Sequence, residues 1–437
     1  MRPLPHVAAG LLAAALLLPA APAHAAGETC HGRTATVVGS PGQYGVTGTE
    51  GDDVVVTGGA ANVSTLGGDD LVCVTGPYAG TQMSLDTGTG DDEVDASASP
   101  SGVVANLGAG RDRYAGSPGF DTVSTGDDAD QDVVQMGASP HAGVNAGAYG
   151  STLPNPDVIV LGPNGGSVSW SGPMAPGARL DGGGGPSGLS FAAGSGSVAV
   201  DAVAGTLSED GRTLLSWTGF DRFYAYRRTS PAPASFTFAG SHRDEQLILS
   251  FEDADTGKQR VDLGGGDDTL LLGDRSNVGA HRSSYAGGAG QDHVSMWTGN
   301  HLDLDLATGR MVTRRSGTKV RTKLTGFDTQ LLGAKNLQLM GTRKADVIRF
   351  YACRATVHGR GGADDMAQDR GDDYFEAGLR CNPRKFRLYG DRGNDTLRGS
   401  IGRDLLVGGR GRDTIDGNAK RDRCSGERLR NCEVRLR

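Results

Sequence analysis

Four carboxylates near the end of the chain stand nine residues apart: Asp395, Asp404, Asp413 and Asp422. Gly393, Gly402 and Gly411 each lie two residues before the first three of them. Leu397, Leu406, Ile415 and Cys424 lie two residues after the four. A carboxylate on a glycine-shaped turn is the kind of oxygen donor that a hard divalent cation takes. Glycine allows positive φ, so the turn can aim main-chain carbonyls at one point. Nine residues fit half a coil: a six-residue turn, then a three-residue strand with one inward side chain. Eighteen complete a coil, which stacks on the next at about 4.8 Å. On that geometry Asp395 lies over Asp413 and Asp404 over Asp422. Two carboxylates about 5 Å apart repel by about 3 kcal/mol at an effective dielectric of about 20. A divalent ion between coils reverses the sign. Calcium accepts six to eight oxygens in irregular geometry, whereas magnesium demands a tighter octahedron. Zinc calls for Cys or His, which these turns lack. Lys420 stands where the fourth turn expects glycine, and a left-handed backbone there costs about 1–2 kcal/mol.

Written as G-G-x-G-x-D-x-U-x, the repeats start at Gly390, Gly399, Gly408 and Gly417. This pattern resembles the RTX, or hemolysin-type, calcium-binding nonapeptide family. The resemblance implies Ca2+ at the turns, with Asp395, Asp404, Asp413 and Asp422 as side-chain ligands and Gly393, Gly402 and Gly411 shaping the loops. Weaker copies lie upstream. "GTEGDDVVV" offers Asp53, "LGGDDLVCV" Asp70 and "GTGDDEVDA" Asp92. "LGAGRDRYAG" offers Asp112, "LGGGDDTLLLG" Asp268 and "AGGAGQDHV" Asp292. In "GRGGADDMA" the acid is Asp364 or Asp365, and Asp365 is taken as the ligand. In the resembling family such repeats usually aid export and folding at the end of a toxin or enzyme. This chain departs from that in carrying an N-terminal leader and repeats along much of its length.

The elements that must hold these turns are short strands. "VAVDAVAGTL" from Val198 echoes "LDLDLATGRM" from Leu302, and "WTGFDRF" echoes "LTGFDTQ". Two tandem modules of about a hundred residues follow from these echoes. Stretches such as "LDLDL" and "FTF" alternate as strands do. The fold class is all-β: elongated parallel β-roll or β-solenoid coils with disulfide-stapled ends. Residues 1–25 read as a signal peptide, from Arg2, the apolar run Val7 to Leu18 and the small-residue site Ala23-His24-Ala25. That run falls short of the roughly 20 residues a membrane span needs. Residues 26–137 form an N-terminal degenerate calcium-repeat solenoid. Residues 138–180 are a Gly/Ser/Pro-rich linker or decayed coils. The tandem modules occupy 181–375, and the C-terminal nonapeptide roll with its cap occupies 376–437.

Composition agrees with a thin core. Aromatics make up 5% of the chain against 71 glycines. Six cysteines in an exported chain allow 15 pairings, and their spacing suggests Cys30–Cys73, Cys353–Cys381 and Cys424–Cys432. The net charge is −8, yet Cys381 to Arg437 holds 15 Lys/Arg against 8 Asp/Glu. Arg392, Arg398, Arg403, Arg410 and Arg412 fall at outward repeat positions. The expected function is a secreted, non-enzymatic calcium-binding repeat protein that folds or rigidifies on extracellular calcium. An alternative is a cell-envelope or extracellular-polymer binder using the basic segment. A further alternative is an extracellular hydrolase or lyase, but neither H-E-x-x-H nor G-x-S-x-G occurs. Stacking platforms for nucleic acid are missing as well.

Overall fold

A computed structural model describes residues 27–436 apart from 79, 81, 140, 149, 228–232, 252–256, 273–278, 316–317, 369–380 and 382–383. The leader expected over residues 1–25 lies outside the described residues. Every regular element among them is a strand. The coils begin as two parallel ladders facing each other. One is an eight-stranded sheet from Val37–Val38 through Val54–Val56, Leu71–Cys73 and Glu93–Asp95 to Arg179–Asp181. The other climbs from Gly45–Thr47 through Asn62–Ser64, Gln82–Asp86 and Gly102–Asn106 to Ser187–Ala193. Alternation sets which side chains enter: Val55, Val72, Val94 and Tyr114 are buried in the central core, while their strand neighbours face outward.

The segment 138–180 continues both ladders. Ala142–Ala146 and Gly166–Trp170 pair in one sheet, and Val158–Val160 and Arg179–Asp181 in the other. Most of its described glycines and prolines fall between these strands, with Gly143 and Gly166 inside them, so the segment is a set of coils.

Beyond Asp181 each tandem module adds an antiparallel flap. Ser197–Asp201 stays in the parallel stack with Ser235–Ala239, while Thr206–Glu209 and Arg212–Ser216 fold back from it. His301–Asp305, Arg310–Arg315 and Thr318–Thr325 repeat the arrangement. The echoed "VAVDAVAGTL" and "LDLDLATGRM" are the first turns of these flaps. Two strands, Thr329–Met340 and Val347–His358, are 12 residues each and pair in parallel along their length. They carry the stack into the last coils, where Lys385–Arg392 pairs with Leu405–Arg410, and Leu405–Arg410 with Arg423–Ser425. The alternate half-coils Thr396–Arg398, Thr414–Asp416 and Arg428–Arg430 form the opposite face.

One hydrophobic core runs from Val46 to Cys424. In the middle it is filled by aromatic rings, where Phe223 meets Phe238 and Phe236 meets Phe251 edge-on at 5.5 and 5.3 Å. In the last coils it narrows to one inward residue per half-coil: Leu397, Leu406, Ile415 and Cys424. The three disulfides join the pairs that spacing suggested. Cys424–Cys432 closes the final coil. Cys30–Cys73 holds the hairpin Thr29–Thr34 over the outward residues Val54, Val56 and Leu71. Cys353–Cys381 packs beside Trp297 and Tyr351, also outside the main core.

Candidate metal centre

Each turn delivers its acid immediately before a strand, and stacking the strands stacks the acids. The first row is Asp53, Asp70, Asp92, Asp112, Asp132 and Asp157. Each main-chain N–H of one acid donates to the carboxylate of the acid one coil on. Asp53 N–H reaches Asp70 Oδ1 at 2.8 Å, Asp70 reaches Asp92 at 2.9 Å, and Asp92 reaches Asp112 at 2.8 Å. Asp112 and Asp132 continue the row to Asp132 and Asp157. A second row links Glu245 to Asp268, Asp268 to Asp292, and Asp292 to Asp328. It resumes from Asp346 through Asp364 and Asp395 to Asp413. A third, on the opposite edge of the last coils, runs from Phe386 N–H to Asp404 and from Asp404 to Asp422. The cap ends both rows with glutamates: Asp413 N–H donates to Glu427 and Asp422 N–H to Glu433.

The row uses one oxygen of each carboxylate, and the second oxygen separates two kinds of turn, with Asp132, Asp157 and Asp328 belonging to neither. In five turns the residue four before the acid is Ser or Thr, and it satisfies that oxygen. Ser400 N–H reaches Asp404 Oδ2 at 2.6 Å and its hydroxyl at 2.9 Å. Thr49 does the same for Asp53, while Thr342 gives its N–H to Asp346 Oδ2 and its hydroxyl to Oδ1. Ser117 holds Asp121, and Ser241 holds Glu245 through both its amide and its hydroxyl.

In the other kind, Oδ2 is buried with no hydrogen-bond partner. This holds for Asp70, Asp92 and Asp112 in the first row, and for Asp268 and Asp292 in the middle. It holds again for Asp364, Asp395, Asp413 and Asp422. The Thr65 hydroxyl near Asp70 spends its proton on the Thr87 carbonyl, and Thr87 spends its own on Leu107. These acids are almost fully enclosed, with Asp413 and Asp422 at 0% exposure. Burial pushes Asp92, Asp112, Asp268, Asp364 and Asp422 up to about 7 each, and neighbouring acids add to the shift. Burial also raises Asp70, Asp292, Asp395 and Asp413. Asp132, in the same row, is pushed up to about 9 by burial and by Asp157.

Main-chain oxygens crowd the same place. A Cβ on Gly390 would collide with both Asp395 Oδ2 and the carbonyl of Gly408 in the next coil; one on Gly359 would meet Asp364 Oδ2 and the Gly390 carbonyl. Glycine at the head of these turns is thus required by space. Acceptors face acceptors with no donor between them, which is an oxygen-only donor set suited to calcium. Among the described residues no three His, Cys, Asp or Glu side chains converge as a metal cage. An ion here would be held by a carboxylate and main-chain carbonyls, with Asp395, Asp413 and Asp422 at the last coils and Asp70, Asp92 and Asp268 upstream.

The expected site residues fall into place unevenly. Asp395 stacks with Asp413 and Asp404 with Asp422, in coils of 18 residues. Asp53 and Asp404 are in the rows, but their second oxygens are already taken by Thr49 and Ser400. Of the two acids in "GRGGADDMA", the structure sets Asp364 rather than Asp365 in the row. Asp364 enters the row, while Asp365 opens the strand Asp365–Gln368 and binds Arg349 at 2.6 Å. Adjacent residues at a strand start face opposite sides, so only one of the two acids can turn inward. Gly393 and Gly411 have φ of 140° and 144°. Gly402 is not left-handed; its Cβ would strike the Arg384 carbonyl. Lys420 does adopt a left-handed backbone, with φ of 72°. Asp132, Asp157, Asp328, Asp346, Glu427 and Glu433 were not singled out by sequence. The two glutamates follow no glycine repeat, and only their place one coil beyond Asp413 and Asp422 reveals them.

A second, outer row runs the other way. Asp52 accepts from Asp69 N–H, Asp69 from Asp91 N–H and Asp91 from Arg111 N–H. Asp244 and Asp267 repeat this, and Asn394 caps Arg412. The doubled acids of "GGDD" and "GTGDD" are therefore one inner and one outer rung. The five arginines expected to face outward, Arg392, Arg398, Arg403, Arg410 and Arg412, are all exposed.

A comparison with curated proteins finds no match. Residues 107–131 and 387–423 match the RTX calcium-binding nonapeptide repeat, in four copies. The matched segments hold Asp112 and all four acids of the last coils. These two segments carry RTX-type calcium-binding nonapeptide repeats, and the chain that holds them is built as a β-roll of parallel coils.

Proposed function

We propose that this is a secreted, non-enzymatic protein that rigidifies when its turns meet extracellular calcium. The observation that carries this reading is the set of buried Oδ2 atoms without a donor. Leaving a buried charged acceptor unsatisfied costs about 1–3 kcal/mol or more, and the rows repeat that cost from coil to coil. A cation that binds only the folded stack converts its binding free energy into folding free energy. Export is supported by the leader-like residues Arg2 to Ala25 and by three disulfides, which persist in oxidising compartments. The non-enzymatic reading is supported by the absence of protease and hydrolase motifs from the sequence.

Calcium titration of the full mature chain by far-ultraviolet circular dichroism tests this. Strand signal or thermal midpoint should rise with calcium and respond little to magnesium at the same concentration. A chain with the same spectrum and midpoint in chelator and in millimolar calcium would refute it.

A further inference from the structure

The two kinds of turn differ at one residue, and the difference is conformational. In all nine turns with an unpartnered Oδ2, the residue four before the acid has φ between 69° and 116°. Five of those residues are Gly, but Leu66, Arg360, Asp391 and Asn418 are not. A left-handed backbone costs a non-Gly residue about 1–2 kcal/mol, so glycine's freedom alone does not account for it. In the five turns with Ser or Thr at that place, φ is not left-handed.

The peptide before this residue explains the link. With ordinary φ, the Ser or Thr N–H points at Oδ2, and the hydroxyl adds a second donor. With left-handed φ that bond is not made, and the preceding carbonyl turns towards the neighbouring coil. The Gly390, Gly408 and Gly417 carbonyls, one residue before Asp391, Gly409 and Asn418, each crowd the head glycine of the coil before. One flip of this peptide withdraws a donor from the acid of its own turn and sets a carbonyl beside the acid of the coil before, as the Gly390 carbonyl lies beside Asp364 and the Gly408 carbonyl beside Asp395. One state neutralises the acid from within, and the other presents oxygens to a cation.

We propose that the residue four before the row acid decides which turns bind calcium. Turns headed by Thr49, Ser117, Ser241, Thr342 and Ser400 are closed by their own hydroxyl and amide and take no ion. The nine left-handed turns are the calcium turns. This inference rests on the calcium reading above and divides the repeats differently from the nonapeptide pattern. Asp404 lies inside a matched repeat yet belongs to a closed turn. Asp70, Asp92, Asp268, Asp292 and Asp364 lie outside the matched segments and belong to binding turns.

Native mass spectrometry of the full mature chain counts bound calcium ions directly. Ser400→Gly removes the hydroxyl and permits the flip, so the variant should hold one calcium more than the parent. Thr342→Gly should do the same at Asp346. Asn418→Ser rebuilds the closed turn at Asp422 and should hold one fewer. A misfolded variant cannot gain an ion, so the two gain variants keep the test decisive. If the parent binds calcium and all three variants keep its count, the inference is overturned while the calcium reading stands. If the parent binds no calcium, both fall.

Discussion

At the scale of the residue, the row acids do two jobs with two oxygens. Oδ1 caps the neighbouring coil's amide, which an Asn could also do. Oδ2 is the atom in deficit, and only there does charge matter. Asp413→Asn should therefore act with opposite signs in two conditions. In chelator it replaces an unpartnered anionic oxygen with a neutral amide, and urea unfolding should show equal or greater stability. In calcium it removes a ligand, and the stabilisation gained from the ion should shrink. Destabilisation by the same amount in both conditions would contradict the role given to Oδ2. Thr342→Val offers the complementary case. It deletes the hydroxyl that bonds Asp346 at 2.9 Å, and should cost about 1–3 kcal/mol whether or not calcium is present. The nine-residue spacing made the row acids legible, because a carboxylate at a fixed phase of a coil must stack. The fate of the second oxygen was not legible from spacing. It depends on a peptide orientation four residues earlier, which a Gly-rich pattern leaves open, and so Asp53 and Asp404 looked equivalent to Asp70 and Asp395.

At the scale of the element, a row titrates as a stack of buried acids. An Asp whose folded pKa is raised favours the fold while it is protonated. That contribution is complete below the unfolded carboxylate range near 4 and is lost as pH climbs through the folded value. For Asp92, Asp112, Asp268, Asp364 and Asp422 the folded value is about 7. The metal-free protein should thus lose thermal stability between about pH 5 and pH 8. With saturating calcium, which competes with protons for the same oxygens, the midpoint should hold or rise over that range. Scanning calorimetry at both limits checks the pair of slopes, and parallel slopes would contradict the account. The cap adds a second element-level expectation. Glu427→Ala frees the Asp413 amide at the end of its row, and hydrogen exchange should quicken in Thr414–Asp416 while the middle coils keep their protection. The strands of the last coils were readable because each half-coil spends one residue on the core. The flaps at Thr206–Ser216 and Arg310–Thr325 were not, because alternating apolar residues look alike in parallel and antiparallel strands.

At the scale of the whole molecule, one thin core links coils with the repeat pattern to coils that have lost it. Residues 138–180 show how far the pattern can erode while the stack continues: Val144, Ile159, Val168 and Trp170 still point inward, although no glycine clock marks them. The acids without a donor cluster in three stretches, Asp70 to Asp112, Asp268 to Asp292, and Asp364 to Asp422. Calcium should act on those stretches and spare the coils between them. Hydrogen exchange of the full mature chain at neutral pH, read by mass spectrometry in chelator and in calcium, measures this most directly. Protection should rise with calcium in peptides spanning the three stretches, and change little in the decayed coils of residues 138–180. Equal protection in chelator and calcium across all three stretches would contradict the claim that these buried carboxylates wait for a cation.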